Sequence, residues 1–240
     1  MENKVYLQPA YILHKQAFQN TSLLIDFFCV DYGRVRAVAR GARRAKSKYR
    51  SLLQVFHPLL VSLTGRGDVK TLTAVESSLS AFELHGERLF SGLYLNELIT
   101  RILISNVEYS MLYKNYQNAL LALQGSDDLN RVLRRFELSL LTELGYAINL
   151  DQDCVTKQPI MEDKMYLFVP DQGFECVVGV GESNGISTNV FHGRHILELS
   201  ALCLGDQKSR KAAKLILRMA LQTQLGDKPL HSRGLFAHRV

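Results

Sequence analysis

The chemistry that this sequence offers is concentrated in one cationic stretch. Between Gly33 and Ser51, "GRVRAVARGARRAKSKYRS" holds eight Lys or Arg in nineteen residues and no Asp or Glu. The next carboxylate along the chain is Asp68. Solvated protein surfaces usually mix both signs of charge. A run without any acid is typical of a surface that binds a polyanion such as nucleic acid.

The two halves of this stretch have different patterns. In the first half Arg34 and Arg36 fall on one face of a strand, because side chains alternate, and apolar residues fall on the other. The second half has no hydrophobic period and predicts a mobile loop, in which Tyr49 offers a stacking face. Phosphate contacts are predicted on the strand and on the loop cations Arg43, Arg44, Lys46, Lys48 and Arg50. The alternative is an ordinary solvated loop with a basic bias.

A second basic feature lies in "LNRVLRRFELSLLTELGY". Arg131, Arg134 and Arg135 share one side of a predicted helix, beside an apolar stripe. Guanidinium groups next to an apolar groove could hold a short acidic peptide with an aromatic anchor. The alternative is an amphipathic helix whose arginines pair with Glu137 or Glu143.

Catalytic and metal-binding patterns are missing from the sequence. No G-x-S-x-G, GK[ST] or H-E-x-x-H motif occurs, and Asp127 and Asp128 are better explained as helix-capping residues. His192 and His195 have H-x-x-H spacing, but no further ligands follow at recognisable intervals. We therefore expect that the protein is not an enzyme.

Residues 1–80 predict the scaffold that carries the charge. Five segments rich in β-branched and aromatic residues alternate with turn signals, at 5–13, 22–30, 34–40, 54–64 and 69–76. Five short strands fit a closed barrel better than an open sheet, because closure removes exposed edges.

The hydrophobic period changes to 3.6 from about Phe82 onward. Helices are predicted around 95–103, over 109–125 and over 129–144, where Gly145 gives a stop. Pro and Gly interrupt 151–187, which predicts an insert with a small β-hairpin. The predicted fold class is α+β, with a helical domain of 81–150 and 188–240 split around that insert.

Composition and length set further bounds. The chain has 240 residues, is 47% hydrophobic and carries a net charge of +6, with the excess in the first third. Its apolar runs are too short to span a bilayer and its N-terminus lacks a signal-peptide pattern, so a cytoplasmic protein is expected. The four cysteines form no C-x-x-C pair and are expected to be reduced: Cys29, Cys154, Cys176 and Cys203.

Taken in order, these features resemble a known family. The segments "TSLLIDFFCVDYGRVRAVARGAR", "GRGDVKTLTAVE", "LYLNELITRIL", "LRRFELSLLTELGY" and "KPLHSRGLF" are similar to the bacterial recombination mediator family RecO, over nearly the whole chain. The resemblance implies a five-stranded OB-fold barrel at 1–80, then an all-helical domain. It also implies that 151–187 is an inserted, degenerate zinc-finger-like element.

The resemblance implies binding rather than catalysis. RecO proteins bind single- and double-stranded DNA, anneal strands coated with single-strand-binding protein, and act with RecR to help load RecA. This implies DNA repair and recombination after DNA damage through the RecF pathway, in the bacterial cytoplasm at the nucleoid. The implied DNA contacts on the barrel are Arg34, Arg36, Arg40, Arg43, Arg44, Lys46, Lys48 and Arg50, with Arg66 and Lys70 as additions. The implied docking residues for the acidic, aromatic tail of single-strand-binding protein are Arg134 and Arg135, supported by Arg131.

One departure from the family concerns zinc. Members that bind zinc supply two C-x-x-C pairs, whereas the insert here has only Cys154 and Cys176, with Lys157 where the first pair should close. Two thiolates cannot fill a tetrahedral structural site. We therefore expect no zinc and no other cofactor, and an insert held by packing alone.

Two other classes of function stay open at this point. One is an RNA-binding barrel protein, such as an RNA chaperone or a ribosome-associated factor, since similar basic grooves accept RNA. The other is a nuclease or nucleotidyltransferase, which needs metal-binding carboxylates near the basic face. Asp26, Asp31 and Asp68 are too scattered in sequence to nominate for that role.

Overall fold

The computed structural model describes residues 4–177 and 189–236. The chain divides into two compact units, one formed by Met1–Ser126 with Pro229–Val240 and the other by Asp127–Lys228. The first unit contains helices as well as the barrel, a grouping that the sequence pattern did not indicate. The boundaries of 1–80, 81–150 with 188–240, and 151–187 stay a prediction, and 178–187 lies outside the described residues.

The first unit contains the barrel that the alternating segments predict. Its strands are β1 (Lys4–Phe18), β2 (Ser22–Cys29), β3 (Gly33–Ala39), β4 (Leu59–Thr64) and β5 (Val69–Ser77). They close in the order β1-β2-β3-β5-β4. All neighbours are antiparallel except β3 and β5, which pair in parallel. The predicted five-stranded closed barrel of the OB-fold is therefore confirmed.

The barrel interior is filled by the inward members of each alternating strand. On β3, Val35, Ala37 and Ala39 are fully buried, while Arg34 and Arg36 point outward. The other inward positions are also apolar: Val5, Ala10, Ile12, Ile25, Phe27, Cys29, Leu59, Val61, Leu63, Leu72 and Val75. Burial of these side chains provides the main driving force for closure.

The start of the fourth strand differs from the prediction. β4 begins at Leu59 rather than at residue 54. Phe56 has a φ of 60°, in the left-handed region, which interrupts an extended strand. The Phe56 ring is buried against Gly92 of a helix, and the two are in close contact. A Cβ atom added to Gly92 would lie only 2.8 Å from the Phe56 Cζ atom. Residues 54–58 therefore cover a helix and do not extend the sheet, and an apolar run alone does not distinguish these two environments.

A buried asparagine joins the helices of the first unit to the barrel. These helices are α1 (Gly86–Ile102), α2 (Ser110–Gln124) and, after the second unit, α6 (Ser232–Leu235). The Asn96 amide nitrogen donates to the carbonyl oxygens of Ile12 at 3.4 Å and Leu13 at 3.1 Å, at a bulge in β1. Its amide oxygen accepts from the Tyr116 hydroxyl at 2.5 Å. Asn96 thereby hydrogen-bonds to β1 at the point where the register between β1 and β2 shifts.

The second unit is helical with a small sheet. Its elements are α3 (Leu129–Glu143), β6 (Met165–Val169), β7 (Gly173–Val177), β8 (Val190–His192), α4 (Gly193–Ser200) and α5 (Gln207–Leu225). Strands β6 and β7 form the predicted hairpin, and β8 adds a third strand on the other edge of β6. The side chain of Asp128 caps α3 by accepting from the Asn130 backbone nitrogen, as its position predicts. No helix in the described ranges has both the length and the apolar character needed to cross a membrane.

A buried carboxylate organises the insert. Asp153 is 2% exposed and accepts from the backbone nitrogens of Val155 at 2.8 Å, Thr156 at 2.7 Å and Cys176 at 2.6 Å. It joins the 153–156 turn to β7. The expectation that packing alone holds the insert is therefore wrong. Burial raises the pKa of Asp153, but the backbone donors outweigh it, and the pKa lies below the ordinary value of 3.8.

We predict that Asp153→Asn destabilises the insert at neutral pH by about 1–3 kcal/mol, because an amide cannot accept all three bonds as well as a carboxylate does. Because folding lowers the pKa of Asp153, the ionised carboxylate contributes fully to the free energy of unfolding above the ordinary pKa of 3.8. This contribution is lost as the pH falls through the pKa of Asp153 in the folded protein. Urea unfolding followed by circular dichroism should show a difference between wild type and variant at pH 7 that shrinks below pH of about 4. Asp163→Asn, at an exposed neighbouring position, is the control, and equal effects of both changes would contradict the assignment.

Candidate nucleic-acid interface

Arg36 on the outer face of β3 is ion-paired. Its Nε and Nη2 atoms donate to Asp26 Oδ1 at 2.8 Å and Oδ2 at 3.0 Å. Asp26 is the direct cross-strand neighbour of Arg36 on β2. The Arg36 side chain is 43% exposed, whereas that of Asp26 is 6% exposed. The hydrogen bond that Arg36 donates to the Asp26 carboxylate raises the pKa of the Arg36 guanidinium. Arg36 is accessible, but its charge is largely compensated, which the sequence-based interpretation of this stretch did not include.

Arg34 is held by the end of a helix. Its Nη1 atom donates to the Thr100 carbonyl at 2.6 Å, and its Nη2 atom donates to the Ser105 hydroxyl at 2.8 Å. Thr100 lies in the last turn of α1, where carbonyls lack intrahelical partners and carry partial negative charge. The structure therefore places Arg34 in the packing of the first unit, and we remove it from the predicted phosphate contacts.

Residues 40–50 form the basic segment, which follows β3. It is a succession of turns, with Arg44 N donating to Gly41 O at 3.1 Å and Ser47 N donating to Arg44 O at 3.0 Å. The Arg43 backbone nitrogen donates to Thr21 O at 2.8 Å, which attaches the segment to the β1–β2 turn. Gly41 has a φ of 68°, a conformation that glycine adopts without strain. The segment therefore has defined internal contacts, and the mobility that the sequence predicts stays a prediction.

The basic segment presents the predicted cations to solvent. The exposed residues are Arg40, Arg43, Arg44, Lys46, Lys48 and Arg50. Among the described residues, none of these six lies within ion-pair distance of a carboxylate. The Arg43 guanidinium makes long contacts, 3.4 and 3.5 Å, to the carbonyl oxygens of Gln19 and Asn20. These side chains therefore form an uncompensated cationic surface.

Tyr49 anchors the basic segment to the barrel. Its ring is half-buried and packs against the barrel core together with Leu52 and Val55. The Lys48 ammonium lies 5.5 Å from the Tyr49 ring centroid, within the range of a cation–π interaction. The ring is therefore less open to a nucleobase than the sequence alone indicates.

Lys70 and Arg66, near the β4–β5 turn, have different environments. Lys70 is 4% exposed, and its ammonium donates to the Gly65 carbonyl at 2.7 Å, so it is not a surface cation. Arg66 is exposed. Because Arg36 pairs with Val69, the turn before Val69 lies beside the start of β3, whereas the basic segment follows its end. The structure thus removes Lys70 from the predicted contacts and separates Arg66 from the basic segment.

The helical arginines also divide into two kinds. Arg131 and Arg135 on α3 are exposed. The Arg134 side chain is 8% exposed and its Nη2 lies 3.0 Å from Oε1 of Glu137, which is 1% exposed. Among the residues that the structure describes, the Arg134 Nε atom has no hydrogen-bond partner. Arg134 therefore belongs to a buried ion pair and is not available as the leading residue of a docking site, so we correct that part of the prediction.

We predict that Arg134→Ala destabilises the second unit by about 3 kcal/mol or more, because it leaves the Glu137 carboxylate buried without this cation. Arg135→Ala, one residue further along the same helix but exposed, should change the free energy of unfolding by about 0.5 kcal/mol or less. Urea unfolding of both variants measures the two values. Equal values would show that the ion pair is not buried in solution.

The described ranges contain no cluster of three or more His, Cys, Asp or Glu side chains arranged to hold a metal ion. His192 and His195 have ring centroids 5.5 Å apart. Cys154 and Cys176 are both partly exposed free thiols. The absence of zinc stays a prediction.

The fold and the basic segment together define a class of protein. A closed five-stranded barrel with an uncompensated cationic segment next to one of its turns is typical of OB-fold proteins that bind nucleic acid.

Comparisons with known proteins identify the family within this class. Residues 1–80 match the family model described as Recombination protein O N terminal, and residues 84–234 match the model described as Recombination protein O C terminal. Among curated proteins, DNA repair protein RecO of Coxiella burnetii (strain RSA 331 / Henzerling II) is 41% identical over 235 residues, covering 98% of this chain and 99% of the relative. DNA repair protein RecO of Salmonella paratyphi B (strain ATCC BAA-1250 / SPB7) is 41% identical over 230 residues, covering 95% and 93%. The chain belongs to the RecO family.

Proposed function

We propose that this protein is a recombination mediator. In this proposal it binds single- and double-stranded DNA through its barrel, anneals complementary strands coated with single-strand-binding protein, and acts with RecR to help load RecA. Membership of the RecO family supports a role in DNA repair. The observation that carries the proposal is the set of six exposed cations on the basic segment, which lack a carboxylate partner in the described part of the chain.

The basic segment supports contacts to phosphates rather than to base edges. Its exposed side chains are Arg and Lys, which neutralise phosphates and release the counterions condensed around DNA. Selective recognition of bases needs several polar groups fixed in a groove, and contacts to the backbone carry no sequence information. We therefore expect DNA binding that is strongly salt-dependent and weakly selective for sequence.

The second unit contributes a tether in this proposal. Arg131 and Arg135 can take the carboxylates of an acidic, Phe-terminated tail of single-strand-binding protein. A protein that binds this tail is held close to the DNA strand that the single-strand-binding protein coats. Its effective concentration at that strand is therefore high. It can then bring a second strand close without displacing the whole coat first.

The proposed function needs no covalent step. Annealing requires that phosphate repulsion be reduced and that two strands meet, and neither requires a nucleophile or a general base. The proposal accordingly includes no enzymatic activity, no zinc and no other cofactor. It places the protein at the chromosome in the bacterial cytoplasm.

We predict that Lys46→Ala/Lys48→Ala/Arg50→Ala weakens the binding of a fluorescent single-stranded oligonucleotide and lowers the salt slope, log Kd against log salt, by about 2. Fluorescence anisotropy between about 50 and 200 mM salt measures this slope. Lys114→Ala/Lys164→Ala/Lys228→Ala removes equal charge from exposed positions outside both proposed surfaces and should leave the slope unchanged.

Two results would contradict DNA binding by the basic segment. One is an equal loss of slope in the Lys114/Lys164/Lys228 control variant, which would show that only net charge matters. The other is much tighter binding of a structured RNA than of DNA by the wild-type protein, which would favour an RNA-binding barrel.

We predict that Arg131→Ala/Arg135→Ala weakens the binding of an acidic, Phe-terminated peptide by about tenfold. The reason is that each exposed charge pair contributes on the order of 0.5–1 kcal/mol to binding. The variant should bind the oligonucleotide as wild type does. Anisotropy of the labelled peptide measures the loss, with Lys114→Ala/Lys164→Ala as the charge control. No binding of the peptide by wild-type protein would remove the tether from the proposal and leave DNA binding in place.

A further inference from the structure

Strand β1 exposes two consecutive apolar side chains near its start. In a regular strand successive side chains point to opposite faces, so one of two neighbours on a barrel is buried. Tyr6 is 71% exposed and Leu7 is 51% exposed, whereas Val5 and Gln8 on either side are buried. The register of β1 against β4 shifts between Val5 and Gln8, which marks a β-bulge. The bulge therefore brings both apolar side chains to the outer surface of the barrel.

Ser62 on β4 holds the bulge in place. Its hydroxyl oxygen accepts from the Leu7 backbone nitrogen at 3.1 Å. Its carbonyl oxygen accepts from the Thr73 hydroxyl of β5 at 3.0 Å, where the pairing of β4 with β5 also shifts register. Leu7 has a φ of 45°, in the left-handed region that leucine rarely adopts. Strained residues and bulges are frequent at functional sites, so the exposed pair calls for a physical explanation.

Two cations lie beside the exposed pair. Lys4 is exposed and lies on the same face of β1 as Tyr6, about 7 Å along the strand. Lys4 pairs with Thr64, and the turn that follows Thr64 carries the exposed Arg66. Within residues 4–177 and 189–236, neither cation lies within ion-pair distance of a carboxylate, and this includes Asp68 of the same turn. An exposed aromatic ring next to such cations is a combination typical of surfaces that bind single-stranded nucleic acid.

We propose that the Tyr6 ring is a stacking site for a base of single-stranded DNA. Leu7 extends its apolar surface, and Lys4 and Arg66 contact the flanking phosphates; these four residues form the Tyr6 site. This inference rests on the proposed function, because it adds a base contact to a barrel whose basic segment binds the DNA backbone. Tyr49 of the basic segment does not supply this contact, since its ring packs against the barrel core. Every base has a π-face, so stacking on Tyr6 adds affinity without sequence selectivity.

The Tyr6 site lies at the opposite end of the barrel from the basic segment. β1 and β3 run in the same direction, because both pair antiparallel with β2. Tyr6 lies near the start of β1, whereas the basic segment follows the end of β3. The 7 residues of β3 span about 23 Å at about 3.3 Å per residue. A single strand that binds at both ends therefore crosses the barrel, within the range of about 4–16 nucleotides that an OB-fold covers.

The surroundings of Tyr6 favour a nucleobase over a protein partner. A stable protein interface buries about 800 Å² on each partner and contains several apolar anchors. Beyond the exposed pair, the exposed large apolar side chain on β1–β5 is Val69, and β4 separates its strand from β1. The neighbouring exposed residues Lys4, Arg66 and Thr73 are charged or polar. A small apolar surface with cations at its edge matches one base and its phosphates.

Stacking on Tyr6 gives the barrel a preference for unpaired DNA. In a duplex each base is already paired and stacked, so its face reaches the ring only after the base leaves the stack, which costs free energy. The basic segment contacts phosphates, which both forms of DNA present. The Tyr6 site therefore raises the affinity for a single strand and leaves the affinity for a duplex unchanged.

Fluorescence anisotropy with the full-length protein tests the Tyr6 site. The probes are a single-stranded oligonucleotide, the duplex of the same sequence, and an abasic strand of the same length that keeps its phosphates. The variants are Tyr6→Ala, which removes the ring, and Tyr6→Phe, which keeps it. Tyr146→Ala, at an exposed tyrosine of the second unit, is the matched control.

We expect Tyr6→Ala to weaken the binding of the single-stranded oligonucleotide by about tenfold, which is within the range that one base stacked on an aromatic ring supplies. The salt slope should keep its wild-type value, because the change removes no charge. Tyr6→Ala should leave the affinities for the duplex and for the abasic strand unchanged. Tyr6→Phe and Tyr146→Ala should bind all three probes as wild type does.

Four other results overturn the inference, and they have different meanings. Wild-type affinity of Tyr6→Ala for the single strand removes the stacking site and leaves DNA binding by the basic segment intact. An equal loss on the abasic strand shows that Tyr6 supports the backbone contacts or the fold. A wild-type dimer that Tyr6→Ala dissociates in analytical ultracentrifugation assigns the surface to a second copy of the chain. If wild-type protein binds no oligonucleotide at all, the proposed function fails together with the inference.

Discussion

The pairing of β3 on both of its edges is the constraint on which the cationic surface depends. β2 pairs with β3 along its whole length, and β5 closes the barrel against it at three positions. A strand held on both edges cannot rotate, so its alternation is enforced. Val35 and Ala37 must fill the interior, and Arg34 and Arg36 must point outward. Each outward arginine has a partner in the first unit: Arg34 contacts the end of α1, and Arg36 pairs with Asp26. The exposed cations without a carboxylate partner follow the end of the strand.

The sequence pattern predicted the barrel and the helices of this chain, because hydrophobic periodicity reports which face of an element is buried. The alternating segments predicted the barrel, and the 3.6-residue period predicted the helices, including the Asp128 cap of α3. Phe56 shows where this reasoning stops. An apolar residue in an extended-looking run can leave the sheet when a left-handed φ and a glycine on a neighbouring helix give it another pocket.

The candidate site was harder to predict, because the face on which a cation lies does not determine what it contacts. Arg34 donates a hydrogen bond to the carbonyl oxygen of Thr100, which is 66 residues away in sequence. No local sequence pattern predicts that contact. The partner of Arg36 could have been found: a tight turn that pairs Cys29 with Gly33 also pairs Asp26 with Arg36. Lys70 and Arg134 are buried cations with an acceptor or a carboxylate nearby, which charge counting treats as surface charge. The five cations of α5, a helix without Asp or Glu, were missed for the opposite reason, because the charge was averaged over the whole helical region.

A single physical distinction therefore organises this protein. Cations that have a buried carboxylate or a helix-end carbonyl as partner stabilise the fold, and cations without one provide a surface for an anion. Burying a charge costs free energy unless it is paired, so the first group is fixed by its surroundings. The second group keeps its attraction for phosphates because nothing in the described chain competes for it.

Lysine footprinting tests this distinction most directly. The full-length protein is acetylated with and without a single-stranded oligonucleotide, and the modified lysines are measured by mass spectrometry. The account predicts that DNA protects Lys46 and Lys48, that Lys70 is unreactive in both samples, and that exposed Lys114 reacts equally in both. Equal acetylation of Lys46 and Lys48 with and without DNA, together with protection of a reactive Lys70, would contradict it.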